Sequence, residues 1–133
     1  MSFQVPTLGS GDSLRILLAE DDPVAQKAMV KLLNKIGFHA DVVGNGLDAI
    51  RALQSRSYDV IFMDVQMPEM DGLKTAKAIR DRWPCKRIRI IAVTSCSQKG
   101  DREMCIQAGM DDYIPKPAKQ EDILASLGRY QRI

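Results

Sequence analysis

Along the chain, short unbroken apolar runs alternate with longer stretches in which apolar residues recur every three or four positions. The runs Leu14-Arg15-Ile16-Leu17-Leu18-Ala19, Tyr58-Asp59-Val60-Ile61-Phe62-Met63 and Ile88-Arg89-Ile90-Ile91-Ala92-Val93 are nearly all apolar, the mark of strands covered on both faces. They predict strands over Arg15 to Glu20, up to Asp64, and over Ile88 to Val93, with shorter ones at His39 to Val43 and Asp112 to Pro115. Helical patterns lie between. Asp22-Pro23 reads as an N-cap followed by proline at the first helical position, and Val24, Ala28, Leu32 and Ile36 form the stripe of a helix that Gly37 ends. Asn45-Gly46 leads into a helix bearing Leu47, Ile50 and Leu53. Asp71 caps a third, with Leu73, Ala76, Ile79 and Trp83 on one side and Pro84 as its stop. A fourth contains Asp101 and ends before Gly109, and a fifth takes Ile123, Leu124 and Leu127 into the core. Strands and helices in strict alternation predict an α/β fold whose parallel sheet is covered on both faces.

At 133 residues and 45% hydrophobic, the chain can bury about two-thirds of its unfolded surface, so one domain is expected. Its 19 lysines and arginines are interleaved with 17 acids, not gathered into the basic face that nucleic-acid binding requires. Cys85, Cys96 and Cys105 are spaced for neither a zinc site nor a disulfide framework, and read as reduced thiols of a cytoplasmic domain. Apolar stretches fall short of the roughly 18 residues needed to span a bilayer, so no membrane contact is expected. Met1 to Ser13, with Pro6, Gly9, Ser10, Gly11 and Ser13, reads as a flexible leader or linker, leaving 14–133 as the domain.

The strand ends carry the chemistry. Asp64 ends the third predicted strand, Glu20 and Asp21 end the first, Thr94 ends the fourth and Lys116 follows the fifth. Ligands of open α/β sheets bind at that carboxyl edge, and acids, a hydroxyl and a cation gathered there describe a site for a divalent metal and a phosphoryl group. Singly, each has a plainer explanation. A lone strand-end aspartate usually caps a helix, threonine is common in strands, and a lysine before a proline is usually on the surface. Two acids ending an apolar strand, however, are costly unless something compensates them. Asp71 reads as structural. His39, the single histidine, begins a strand away from the acids; it is expected to be exposed and not to serve as a phosphohistidine donor.

The segments Ala19-Glu20-Asp21-Asp22, Met63-Asp64-Val65-Gln66-Met67-Pro68-Glu69-Met70-Asp71-Gly72, Val93-Thr94-Ser95 and Lys116-Pro117, in this order and spacing, resemble the receiver domains of two-component response regulators. Gly100-Asp101-Arg102-Glu103 through Ala108-Gly109-Met110-Asp111-Asp112-Tyr113 is similar to receivers attached to hybrid histidine kinases. The likeness covers Leu14 to Tyr130. It implies a flavodoxin-like, doubly wound sheet of five strands in the order 2-1-3-4-5, with five helices. It implies that Asp64 accepts a phosphoryl group from a phosphohistidine of a histidine kinase or histidine phosphotransfer domain. It further implies a switch, in which the Thr94 hydroxyl is drawn to the phosphoryl group and Tyr113 rotates into the space vacated. The helix 4, strand 5, helix 5 face would then change toward a downstream protein partner. A cis Lys116-Pro117 bond that aims Lys116 at the phosphoryl group is implied as well.

Electrostatics argues separately for a metal. If Glu20, Asp21 and Asp64 converge within about 5 Å, each like-charge pair costs roughly 3 kcal/mol at an effective dielectric near 20, more than Lys116 alone can offset. An all-oxygen site suits Mg²⁺, with Mn²⁺ as the alternative. The expected ligands are Asp21, Asp64 and the backbone carbonyl of Gln66, with Glu20 acting through water, while Lys116 pairs with a phosphoryl oxygen as a point charge. Phosphoryl lifetime is expected to depend on the side chains two beyond Asp64 and two beyond Thr94. These are Gln66, which can orient a water, and Cys96, which is a weak partner or merely fills space.

A flavin-binding electron carrier would share the architecture, but Glu20-Asp21-Asp22 would repel a flavin phosphate. A metal-dependent phosphatase would need a second acid where Gln66 stands. A degenerate receiver that only docks a partner is the remaining alternative. Beyond its own phosphorylation and dephosphorylation the isolated domain is not expected to be an enzyme. It is expected to be a single-domain regulator or the receiver of a hybrid sensor histidine kinase, with the linker-like leader favouring the latter.

Overall fold

The computed structural model describes residues 14–67, 71–85, 88–95 and 100–128. Strands and helices alternate as β1 (Ile16–Ala19), α1 (Pro23–Lys35), β2 (Ala40–Val43), α2 (Gly46–Ser55), β3 (Val60–Asp64), α3 (Gly72–Arg82), β4 (Arg89–Thr94), α4 (Asp101–Gln107), β5 (Asp112–Pro115) and α5 (Gln120–Gly128). The strands form one parallel sheet in the order β2-β1-β3-β4-β5, as the resemblance implies. The expected leader over 1–13 and the last residues beyond 128 lie outside the described residues.

Period-two alternation sorts the strand residues into two cores. Leu17, Ile61, Met63, Ile90 and Ala92 pack under α2, α3 and α4 with Ala49, Ile79 and Cys105. Ile16, Leu18, Phe62, Ile91, Val93 and Ile114 pack under α1 and α5 with Met29, Leu33, Ile123 and Leu127. The central strands β1 and β3 are buried at every position, which is why their sequences lack a polar face.

Helix starts follow their capping residues. Asp22 accepts from the Val24 N–H, Asn45 from the Asp48 N–H at 2.8 Å and Asp71 from the Lys74 N–H at 2.9 Å, each satisfying a backbone donor the helix itself cannot. The stripe of α1 differs from its expectation. Val24 is 74% exposed and Ala28 is exposed, while Met29 and Leu33 are buried, with Val30, Leu32 and Ile36 at their margin. The first turn of α1 overhangs the sheet edge, and the face that reaches the sheet lies one residue further along. Leu47 likewise is 43% exposed while Ala49, Ile50 and Leu53 are buried, and in α5 Ser126 takes a buried place where Leu124 is only half-buried. The Ser126 hydroxyl is satisfied by donating to the Ile123 carbonyl at 2.8 Å.

Contacts at both ends fix α3 against the sheet, one at the carboxyl edge and one at the amino ends of β4 and β5. The Gly72 N–H donates to the Val65 carbonyl at 2.8 Å, and a Cβ on Gly72 would collide with the Asp64 carbonyl oxygen and lie 2.8 Å from Val65 Cα. Only a glycine lets the start of α3 sit this close to the end of β3. On the opposite flank Arg80 of α3 donates to the carbonyls of Gly109 (2.9 Å) and Ile88 (2.6 Å) and to Asp111 (2.7 Å), whose carboxylate also accepts the Ile90 N–H. Replacing Gly72 by alanine should lower unfolding free energy by about 1–3 kcal/mol through overpacking. Urea denaturation checks this, and an unchanged midpoint would show that α3 does not press on β3 as described.

Candidate functional site

Leu18, Phe62 and Ile114 all face the α1/α5 core, and two residues beyond each come Glu20, Asp64 and Lys116. The strand period therefore carries these three side chains to one side of the carboxyl edge. Adjacent pairing does the rest, because Ala19 lies opposite Met63 across β1 and β3 and the next residues in each strand direction are Glu20 and Asp64. Glu20 is 3% and Asp64 5% exposed. Asp21 is exposed.

The Lys116 ammonium lies 2.8 Å from Glu20 Oε1 and 3.4 Å from Asp64 Oδ2. The remaining Glu20 oxygen accepts the Asp22 N–H at 3.2 Å, and Asp64 Oδ1 accepts the Gln66 N–H at 3.1 Å. Burial pushes the Glu20 carboxyl above its ordinary 4.5, opposed by Lys116 and reinforced by Asp64. Burial pulls Lys116 down, but the Glu20 and Asp64 carboxylates outweigh it and hold the ammonium above its ordinary 10.5. Because the folded state binds the Glu20 proton more tightly than the unfolded chain, metal-free stability falls as pH rises from 4.5 through the raised value. The Lys116 contribution is fully present below 10.5 and is lost only as pH climbs through its own raised value.

The donor set fits a hard divalent cation. Glu20, Asp21 and Asp64 each offer a carboxylate oxygen, and these atoms lie within 4.8 Å of one another. Carboxylates without nitrogen or sulfur are the ligands of Mg²⁺-like ions, and Lys116 brings one positive charge against three acids. Among the described residues Asp21 has no ion-pair partner of its own.

The remaining predicted residues fall as follows. Thr94 ends β4 and is 1% exposed, one residue past the Asp64–Val93 pair. Its carbonyl accepts the Lys116 N–H at 2.9 Å. Tyr113 sits on β5 opposite Ala92, half-buried against the core beneath α4. Gln66 is exposed, His39 is exposed on the far end of the sheet, and the Lys116–Pro117 bond is cis. Cys96 lies outside the described residues.

Two features escaped the sequence. A cavity of about 450 Å³ opens beside the acids, walled by Val24, Ala25, Met29, Leu32, Pro117 and Ala118; the spacing puts Val24 and Leu32 on a core stripe, and only the overhang of that helix reveals their place. Gln26 donates its side-chain amide to the Glu20 carbonyl at 2.5 Å, a contact for which local patterning gives no signal.

The sequence profile of the response regulator receiver domain matches residues 16–128. Hybrid signal transduction histidine kinase K of Dictyostelium discoideum is 37% identical, over 87% of this chain and 10% of the relative. Probable histidine kinase 1 of Oryza sativa subsp. indica is 38% identical, over 91% of this chain and 16% of the relative. The chain thus spans a sixth or less of the length of these relatives. Among solved structures, the receiver domain of sensor histidine kinase PA1611 from Pseudomonas aeruginosa PAO1, determined with a magnesium ion coordinated in its active site cleft, is 38% identical with a TM-score of 0.80, over 88% of this chain and 96% of that one.

A divalent cation such as Mg²⁺ should raise the melting temperature by an amount set by its concentration over Kd. Asp21→Asn should remove most of that gain while leaving or raising the metal-free melting temperature, since one repelling charge is gone. An undiminished response in the mutant would place the cation elsewhere.

Proposed function

The chain belongs to the response regulator receiver domain family, and from that premise we propose that Asp64 is its phosphoacceptor and that Glu20, Asp21, Asp64 and the Gln66 carbonyl hold a resident Mg²⁺, for which Mn²⁺ can substitute. One observation carries the reading: Asp64 is sunk beside two further acids with the Lys116 ammonium already at its carboxylate. When bound, the cation supplies the positive charge that lets a carboxylate approach an anionic phosphoryl donor.

The reaction itself belongs to Asp64. A carboxylate oxygen attacks phosphorus, the bond from phosphorus to the donor imidazole nitrogen breaks, and the imidazole leaves neutral after taking up a proton. Lys116 is an ammonium at neutral pH, held more firmly still by its two carboxylate neighbours, and can pair with a phosphoryl oxygen. Gln66, two residues beyond Asp64 and exposed, can orient a hydrolytic water through its amide. Asp64 is reached only by a donor that fits around it. The apolar walls contributed by Val24, Ala25, Leu32 and Pro117 suit the apolar face of a histidine-bearing kinase or phosphotransfer domain. The hybrid kinases among the relatives support such a donor, and a hybrid histidine kinase as the parent of this domain. No described helix is long and apolar enough to cross a membrane, and the free thiols Cys85 and Cys105 suit a cytoplasmic setting.

Output follows from Thr94 and Tyr113. Thr94 shares the strand face of Ile90 and Ala92, the same core against which Tyr113 packs, so a shift of the Thr94 side chain toward the phosphoryl group changes the packing available to Tyr113. The α4, β5, α5 surface then differs between the two forms and is read by a downstream protein. A modification can move that equilibrium only as far as it interacts differently with the two forms.

A small phosphodonor with Mg²⁺ should add one acid-stable, base-labile phosphoryl group, absent in Asp64→Asn. Equal labelling of the mutant would overturn the assignment, and an unlabelled wild type would favour a docking-only module. Thr94→Ala should still be labelled yet lose most of the NMR shift change around Tyr113 that a phosphoryl mimic produces in the wild type. Equal shifts in both proteins would remove Thr94 from the switch.

A further inference from the structure

We propose that Gln26 is a positioning residue for the metal cradle. Its side-chain amide fixes the peptide between Glu20 and Asp21, so that the Asp21 carboxylate faces Glu20 and Asp64 before a cation arrives. The inference rests on the receiver reading of this site and adds to it a residue outside the acids themselves.

The sheet releases the chain just where the acids begin. The Glu20 N–H makes the final bond toward β2, to the Val43 carbonyl at 3.0 Å. The Glu20 carbonyl is past the ladder and, among the described residues, receives no backbone donor. Gln26 supplies one, donating from Nε2 at 2.5 Å. The Gln26 N–H in turn donates to the Asp22 carbonyl at 2.9 Å, which seats the glutamine in the first turn of α1, and the Asp22 N–H donates back to Glu20 Oε2 at 3.2 Å. With Lys116 on Glu20 Oε1, every polar group of Glu20 is engaged.

Asp21 has no such hold. It is exposed, Lys116 pairs with its two neighbours and not with it, and like-charge repulsion drives its carboxylate outward whenever the cation is absent. Yet its oxygen stays within 4.8 Å of those of Glu20 and Asp64. What keeps it there is the orientation of the backbone that carries it. The peptide plane joining Glu20 to Asp21 is pinned through the Glu20 oxygen by Gln26, and a turn of that plane would swing the Asp21 side chain away. A cradle held in this way meets the cation without having to be assembled against repulsion, which is how outer partners of metal ligands raise affinity.

Isothermal titration with Mg²⁺ tests the idea on the whole chain. Gln26→Met keeps the length and loses the donor, and should weaken Mg²⁺ binding about 10-fold, the low end for outer-shell partners. Gln26→Glu also loses the donor but brings a further negative charge. A role exerted through charge alone predicts tighter binding in that variant, whereas positioning predicts weaker binding in both. In the wild type, the Gln26 side-chain amide should show a downfield proton resonance with slowed solvent exchange. Equal affinity in Gln26→Met, tighter binding in Gln26→Glu, or a freely exchanging Gln26 amide would each overturn the proposal, and the last needs no variant to fold. A wild type that binds no Mg²⁺ would instead overturn the metal reading itself.

Discussion

Three carboxylates brought to one point at the edge of a sheet, two of them buried, are the constraint to which the rest of the molecule answers. At separations near 5 Å and an effective dielectric near 20, each pair repels by roughly 3 kcal/mol. A small domain whose whole stability is about 5–15 kcal/mol cannot carry that without compensation. Lys116 relieves part of it in the metal-free protein, and the Glu20 carboxyl, raised first by burial and further by Asp64, shows that the relief is incomplete. The unrelieved share becomes affinity when a cation changes the charge balance. The site is therefore a place where stability is withheld so that ligand chemistry can supply it.

Topology explains why these residues and no others meet. With β1 and β3 adjacent and in register through Ala19 and Met63, the first residues past each strand have little choice but to share an edge. β4 comes next, so its terminal Thr94 flanks Asp64 through the Val93 pairing. The cation has to come from β5, on the far side of β4, with strands about 4.8 Å apart. A long, flexible side chain crosses that gap where a short one would not. The Lys116 N–H on the Thr94 carbonyl ties its backbone to the strand it must reach over. Gly72 closes the arrangement from the other side by letting α3 abut the Asp64–Val65 peptide.

The acids and Thr94 were legible because each ends an apolar run whose burial fixes both the strand and its exit, whereas Lys116 follows only a brief, partly exposed strand and gained its weight from the others. Strand order was not readable from patterning and came from the family resemblance. Helix faces were read less well for a physical reason. Val24 and Ala28 have the spacing of a core stripe, but so do Met29 and Leu33, and periodicity alone cannot say which stripe meets the sheet when the first turn projects past its edge. Leu47 and Leu124 fail in the same way on shorter helices, where one residue of rotation moves a side chain off the core face. The contacts of Gln26, Gly72 and Arg80 join segments whose approach is decided by packing, and no local pattern encodes them.

What the site can communicate depends on which neighbouring element is least firmly held, and α4 answers that description. It is 7 residues long, begins at Gly100 with φ +100° and no side-chain cap bond, and buries only Cys105. Its far end is held tightly, because Arg80 grips the Gly109 carbonyl and Asp111 together, and Asp111 is further bonded to the start of β4. A short helix that buries one residue and is anchored at its C-terminal end has little packing of its own to oppose a change at the sheet edge. It follows Thr94 along the chain, and its anchored end leads into β5 and Tyr113. In the proposed switch a pull on Thr94 would act on this lightly packed helix, while the Arg80 clamp holds the start of β5. Rigidity around Asp64 and compliance at the start of α4 are complementary requirements of the proposed switch, because a site that yielded with the helix would lose the geometry that phosphoryl transfer needs.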